Sequence, residues 1–203
     1  MPDQSLAGKK VAVLVEAQYI PGEIKIYQER FASYGATVDL VSRLWGQPTG
    51  RFYSTFEPGV VDPVEWLEVG KDIEGPNAVS PDDYDAVIAA ANYTTVRLRY
   101  SEREINSANA AEVARNAPAA RFFRRAVENP KVIVGAPCHA LWLLTPSPDL
   151  LAGRKVLCNP VVLADVINAG AIYTPFPPGT PGDRQVMVDR DLVTNTGWHA
   201  SEA

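Results

Sequence analysis

The chain has 203 residues, of which 46% are hydrophobic and 21% charged, and its formal net charge is −5 at pH 7. That composition suits one globular domain with a full hydrophobic core and excludes a disordered chain. The mild acidity and the lack of a basic run exclude a nucleic-acid footprint and argue against binding to an anionic membrane surface, and no apolar stretch reaches the length of a membrane span.

The N-terminal stretch Met1 to Lys10 is polar. The apolar run Val11 to Val15 is too short for a signal-peptide core and ends in Glu16. The two cysteines, Cys138 and Cys158, form no CxxC pair and no disulfide framework. A reducing, cytoplasmic setting is therefore expected, where an isolated special cysteine is more often catalytic than structural.

In chain order, Val11 to Val15 reads as a strand buried on both faces. Pro21 suits the first turn of a helix, Ile24, Tyr27 and Phe31 follow at helical spacing, and Gly35 caps the end. Thr37 to Val41 is the next strand, and the β-α-β order implies parallel pairing. Arg43 to Asp83 is a long insertion, with a hairpin or short helix expected around Pro63 to Val69 and a role as a lid or a subunit contact. Tyr84 to Ala91 is the third core strand. Asn106 to Glu128 reads as helix broken at Pro118. Lys131 to Ala136 is strand, and a helix starts at His139 to Leu144 with almost no linker. Lys155 to Cys158 is strand, Pro160 to Asn168 helix with Gly170 as cap, and Ala171 to Tyr173 strand. Val186 to Asp189 and Leu192 to Thr194 form a late hairpin, after which a closing helix is expected where the chain stops at Ala203. The alternation predicts an α/β fold, a flavodoxin-like doubly wound sandwich with a mostly parallel central sheet, spanning residues 1–203 as one domain with the insertion at about 43–83.

The segment Val132 to Leu144 carries the chemistry. A buried strand meets a helix at Cys138, with Ala136 and Ala140 two positions to either side. This is the small-x-nucleophile-x-small pattern of a nucleophile elbow, a turn too tight for large flanking residues. It presents the sulfur at the carboxyl end of the sheet, and helix amides behind it are expected to lower the thiol pKa. Cys158 lacks small flanks and reads as structural.

Gly135-Ala136-Pro137-Cys138-His139-Ala140 resembles the A-x-C-H-G elbow of the ThiJ/PfpI superfamily, relatives of the class I glutamine amidotransferases. Other landmarks agree in order. Lys10 to Val15 followed by Glu23 resembles the family's first strand and active-site glutamate. Gly35 to Ser42, Tyr84 to Ile88, Gly153 to Cys158, Asp165 to Gly170 and Val188 to Thr194 resemble later family segments.

The resemblance implies a glutamate at Glu23 beside the Cys138 sulfur, held protonated enough to act as acid or base. Glu16 is the runner-up for that carboxylate. It implies His139 as a base or, through its backbone N–H, as an oxyanion donor together with Ala91. Asn92, Tyr93, Asn159, Trp198 and His199 are candidate pocket residues. Three departures stand out. Ala89-Ala90-Ala91-Asn92 replaces a Gly-Gly pair, Tyr93-Thr94-Thr95 stands where the PfpI branch places a glutamate from a neighbouring subunit, and Asn159 replaces a histidine of the deglycase branch. No dinucleotide or phosphate loop is present, and no metal-ligand cluster, so no cofactor and no metal are expected.

The reading is a cysteine-dependent hydrolase or lyase acting on a small carbonyl or similarly electrophilic carbon, glyoxalase-like or deglycase-like. It is a cytoplasmic homodimer or higher homo-oligomer with a small-molecule substrate, as the resemblance implies. One alternative is an isocyanide-hydratase-like or specialised biosynthetic enzyme with an apolar pocket built from Trp45, Phe52, Tyr53, Phe56 and Trp66. The other is a non-catalytic redox sensor or chaperone with an oxidisable cysteine.

Overall fold

A computed structural model of the chain describes residues 4–56 and 64–197. The chain begins with strand β1 (Lys10–Leu14), helix α1 (Pro21–Ser33) and strand β2 (Thr37–Ser42). Proline opens α1, and Gly35 closes it with φ 90°, a left-handed conformation that costs glycine nothing. The insertion contributes β3 (Gly50–Tyr53), β4 (Trp66–Val69) and β5 (Lys71–Asp72). Strands β3 and β4 pair antiparallel, so the expected hairpin is present, while Pro63 lies outside the described residues.

Next come β6 (Ala86–Ala89) and the helices α2 (Thr94–Leu98), α3 (Ala110–Arg115) and α4 (Pro118–Glu128). The helical break falls at Pro118, as the sequence predicts. Then follow β7 (Ile133–Pro137), α5 (Pro148–Leu151), β8 (Lys155–Val156) and α6 (Pro160–Asn168). The chain finishes with β9 (Ile172–Tyr173) and the hairpin β10 (Val186–Asp189) to β11 (Leu192–Asn195).

Among the described residues, seven strands form the main sheet in the order β10-β11-β7-β6-β1-β2-β5, in which only the β10–β11 pairing is antiparallel. The run β2-β1-β6-β7-β11 is the flavodoxin-like doubly wound order, so the fold expectation holds. In such a sheet the strand order reverses between β1 and β6, and ligands bind beyond the carboxyl ends of the strands there.

Alternation along the strands splits the core in two. Ala12 and Leu14 face one apolar cluster with Phe122, Phe123 and Leu141, and Val11, Val13 and Val15 face the other with Ile24 and Tyr27 of α1. Among the described residues no helix is long and apolar enough to cross a membrane.

One local expectation is corrected. The helix expected over His139 to Leu144 is a four-residue 3-10 turn, Ala140–Leu143. Pro146 disfavours helical backbone at Thr145, and Pro148 restarts the chain as α5. Helix α2 is an addition to the expected elements, because Thr94, Thr95 and Val96 are β-branched and poor helix formers. Tertiary bonds hold it instead: the Thr94 hydroxyl accepts from Glu16 N–H at 2.7 Å and donates to the Glu16 carbonyl at 2.8 Å.

Candidate active site

The carboxyl ends of β1, β6, β7 and β8 converge on Cys138. Strand β7 runs between β6 and β11 and ends at Pro137, where Cys138 N–H donates to the Asn195 carbonyl at 3.1 Å. Cys138 then turns with φ 55°, a left-handed conformation rare outside glycine. Ala136 and Ala140 on either side are fully buried, which leaves no room for larger flanks. The elbow expected from the sequence is present in its geometry.

The Cys138 Sγ lies 2.9 Å from His139 Nδ1. The imidazole is buried, and burial pulls its pKa below the ordinary histidine value, so it is neutral at neutral pH. Its other nitrogen, Nε2, is buried without a hydrogen-bond partner among the described residues. The ring packs against Tyr93 with centroids 5.6 Å apart, and Tyr93 itself is largely exposed at the rim.

Glu23, in the first turn of α1, is fully buried. Tyr27 donates its hydroxyl hydrogen to Oε1 at 2.9 Å, from one helical turn away. Burial pushes the carboxyl up to about 7, outweighing the lowering by the Ala91 and Tyr27 hydrogen bonds. The carboxylate is close enough for its charge to raise the Cys138 thiol pKa.

The sequence assigns Ala91 N–H to an oxyanion hole. The structure corrects this: Ala91 N–H donates to Glu23 Oε1 and Oε2, both at 3.0 Å. The next amide, Asn92 N–H, faces the sulfur instead and lowers its pKa, as do His139 N–H and the Asn159 side chain. Asn92 can present its amide this way because it adopts φ 71°, with its side-chain nitrogen donating to the Gln18 carbonyl at 3.2 Å.

Asn159 does two further things. Its N–H donates to the Cys138 carbonyl at 2.9 Å, and its Oδ1 caps α6 by accepting Val161 N–H at 3.0 Å. The residue that replaces a histidine thus touches the elbow directly.

The net effect on the thiol runs against expectation. Burial outweighs the three hydrogen bonds, so the Cys138 pKa stands above its ordinary value of 9.0. A 3-10 turn of four residues supplies little of the dipole that a full helix would. The resting group is a thiol, with His139 Nδ1 in contact with its sulfur.

Trp198 and His199 lie outside the described residues. Glu16 sits at the end of β1 with its Oε1 accepting Ala17 N–H at 2.6 Å, and burial raises its pKa. Thr94 and Thr95 are buried and tie loops together. Sequence reasoning missed the Asn92 amide and Tyr27. The second could have been found from its place four residues after Glu23 on one helix face.

The doubly wound sheet with its left-handed cysteine corner beside a buried glutamate is similar to known proteins in both sequence and fold. The DJ-1/PfpI family model matches residues 107–203, which hold the elbow and the late hairpin. A curated relative, protein/nucleic acid deglycase 2 of Escherichia coli strain K12, is 26% identical over 92% of this chain and 88% of its own.

Solved structures agree in fold. A two-domain protein with DJ-1/ThiJ/PfpI-like and ferritin-like domains from Anabaena variabilis gives a TM-score of 0.67 at 21% identity, over 92% of this chain. This chain spans only 43% of that protein's length. A ThiJ/PfpI domain protein from Brachyspira murdochii gives 0.67 at 13% identity, covering 97% of this chain and 91% of its own. Schizosaccharomyces pombe DJ-1 gives 0.62 at 16% identity, covering 95% and 86%.

Proposed function

We propose that the chain is a cysteine-dependent enzyme acting on a small carbonyl compound, with glyoxalase-like or deglycase-like chemistry. The observation that carries this reading is the 2.9 Å contact between Cys138 Sγ and His139 Nδ1 at a left-handed corner beside Glu23. The likeness to a curated deglycase supports the reaction class.

In this reading a neutral His139 takes the thiol proton as Cys138 sulfur adds to the carbonyl carbon. The new C–S bond leaves a tetrahedral oxyanion, which the Asn92 and His139 amides stabilise. Glu23, which ionises near neutral pH, then returns or removes a proton as water completes hydrolysis or hydration. No step calls for a cofactor. A homodimer in the cytoplasm is the setting proposed for this chemistry, and size-exclusion chromatography tests the assembly.

The test is turnover of methylglyoxal and of a glycated peptide by the wild type and by Cys138→Ala. The expected result is turnover that falls by on the order of 10³-fold or more in the variant. Equal residual rates in both proteins would overturn the cysteine mechanism.

A further inference from the structure

A histidine base works only if its ring is held at one angle to the nucleophile. The usual holder is a hydrogen bond to the ring nitrogen that faces away from the nucleophile. His139 has no such bond. Its Nδ1 lies 2.9 Å from Cys138 Sγ, and its Nε2 is buried with no hydrogen-bond partner among the described residues. The backbone is fixed, since the His139 carbonyl accepts Trp142 N–H at 2.9 Å as the 3-10 turn begins. The imidazole can still turn about its own side-chain torsions. What lies against it is the Tyr93 ring, with 5.6 Å between centroids and 35° between planes.

Tyr93 is itself firmly placed. Asn92 before it holds a φ of 71°, and the Tyr93 carbonyl accepts Val96 N–H at 2.9 Å and Arg97 N–H at 3.3 Å. Thr94 after it is tied through its hydroxyl to the N–H and the carbonyl of Glu16. The ring therefore hangs from a pinned backbone. Its hydroxyl makes no hydrogen bond among the described residues, and the side chain stands at the rim, with the residue 47% exposed.

We propose that Tyr93 is the positioning residue for His139, its ring rather than a hydrogen bond keeping the imidazole turned so that Nδ1 meets the Cys138 sulfur. This deepens the proposed function and rests on its reading of His139 as the base. While the thiol donates to Nδ1, the ring hydrogen sits on Nε2, where nothing accepts it. A buried N–H without an acceptor favours turning the imidazole out to water. Tyr93 covers one face of the ring and closes that route, through the contact of two aromatic planes. The phenol oxygen takes no part, so phenylalanine serves at this position and alanine does not.

The experiment records imidazole nitrogen-15 spectra of the intact protein at about pH 8, where a histidine ring is neutral. The chain has two histidines, so His139→Gln identifies the His139 signals. The wild type and Tyr93→Phe should each show one tautomer, with two well separated nitrogen shifts. In Tyr93→Ala the two shifts should move together, as a freely turning ring exchanges between tautomers. Methylglyoxal turnover should follow: kcat falls roughly 10- to 100-fold in Tyr93→Ala, KM changes by less than about twofold, and Tyr93→Phe restores kcat. Thermal melts establish that both variants are folded. Separated shifts of wild-type value in a folded Tyr93→Ala would overturn the proposal, as would Tyr93→Phe behaving like Tyr93→Ala. A wild type that turns over no carbonyl would sink the enzyme reading instead, while the nitrogen shifts still decide whether Tyr93 holds the ring.

Discussion

The Glu23 carboxylate receives Ala91 N–H on both of its oxygens at 3.0 Å. This joins the first turn of α1 to the end of β6 across the point where the strand order reverses. It also engages the amide that the family resemblance assigns to the oxyanion, while the Asn92 N–H faces the Cys138 sulfur. Glu23 is thereby a structural clamp and a titrating group at once.

Burial of Glu23 makes stability depend on pH through this residue. Folding raises the Glu23 pKa from its ordinary 4.5 to about 7. The folded state therefore favours the protonated form, and the contribution is full below about pH 4.5 and lost as pH rises through about 7. The span corresponds to about 3 kcal/mol. Glu23→Gln stays neutral, so its stability should be flatter across that window, as urea denaturation midpoints at a series of pH values would reveal. Its turnover should fall about 10²-fold through loss of a proton-transfer group.

Asn159 lowers the Cys138 pKa through its side chain and caps α6 with the same group. Asn159→Ala should shift the pH midpoint of Cys138 alkylation by iodoacetamide upward and cost about 1 kcal/mol of stability from the lost cap. Asn159→Ser keeps a capping oxygen. It should recover the stability while the alkylation midpoint stays high, which separates the two roles.

Arg154 is buried and holds the turn of the late hairpin, donating to the Asp189 carbonyl and to Asp191 Oδ1, the latter at 2.8 Å. Asp189 Oδ2 in turn accepts Lys155 N–H at 2.6 Å. Arg154→Ala leaves Asp191 without this cation and Asp189 with Arg190 alone, and should cost roughly 3 kcal/mol in chemical denaturation. Strand β11 supplies the carbonyl that Cys138 N–H uses, so alkylation of Cys138 should also become faster as the corner loosens.

Gly135 sits in β7 against Ile88, where an added Cβ would lie 2.9 Å from Ile88 Cγ1. Gly135→Ala should destabilise by about 1–3 kcal/mol through overpacking. Ile88→Ala in the same chain should return part of that loss in a thermal melt, since it removes the atom in the way.

Much of the fold could be read from the residues. Helix α6 matches its predicted span, because Asn159-Pro160 is a start signal and Gly170 a stop. The break at Pro118 and the late hairpin follow from equally local chemistry. Helix α2 could not be read this way, since its threonines are held by bonds to Glu16, 78 residues away in sequence. In the site, the elbow spacing points to Cys138 and the family resemblance to Glu23, and the fold brings both together with His139 and Asn159. The choice between Ala91 and Asn92 as the amide facing sulfur depends on the 71° φ of Asn92, a property of the folded turn rather than of composition.

Gln18, Asn92 and Cys138 all adopt left-handed backbone without being glycine. Each such residue holds on the order of 1–2 kcal/mol that a glycine there would release. At Cys138 this sets robustness against chemistry. Random change filtered for heat resistance alone would tend to replace the sulfur with glycine, giving a sturdier protein with nothing to react. A cysteine at such a corner therefore places a standing thermodynamic tax on the fold that glycine would lift.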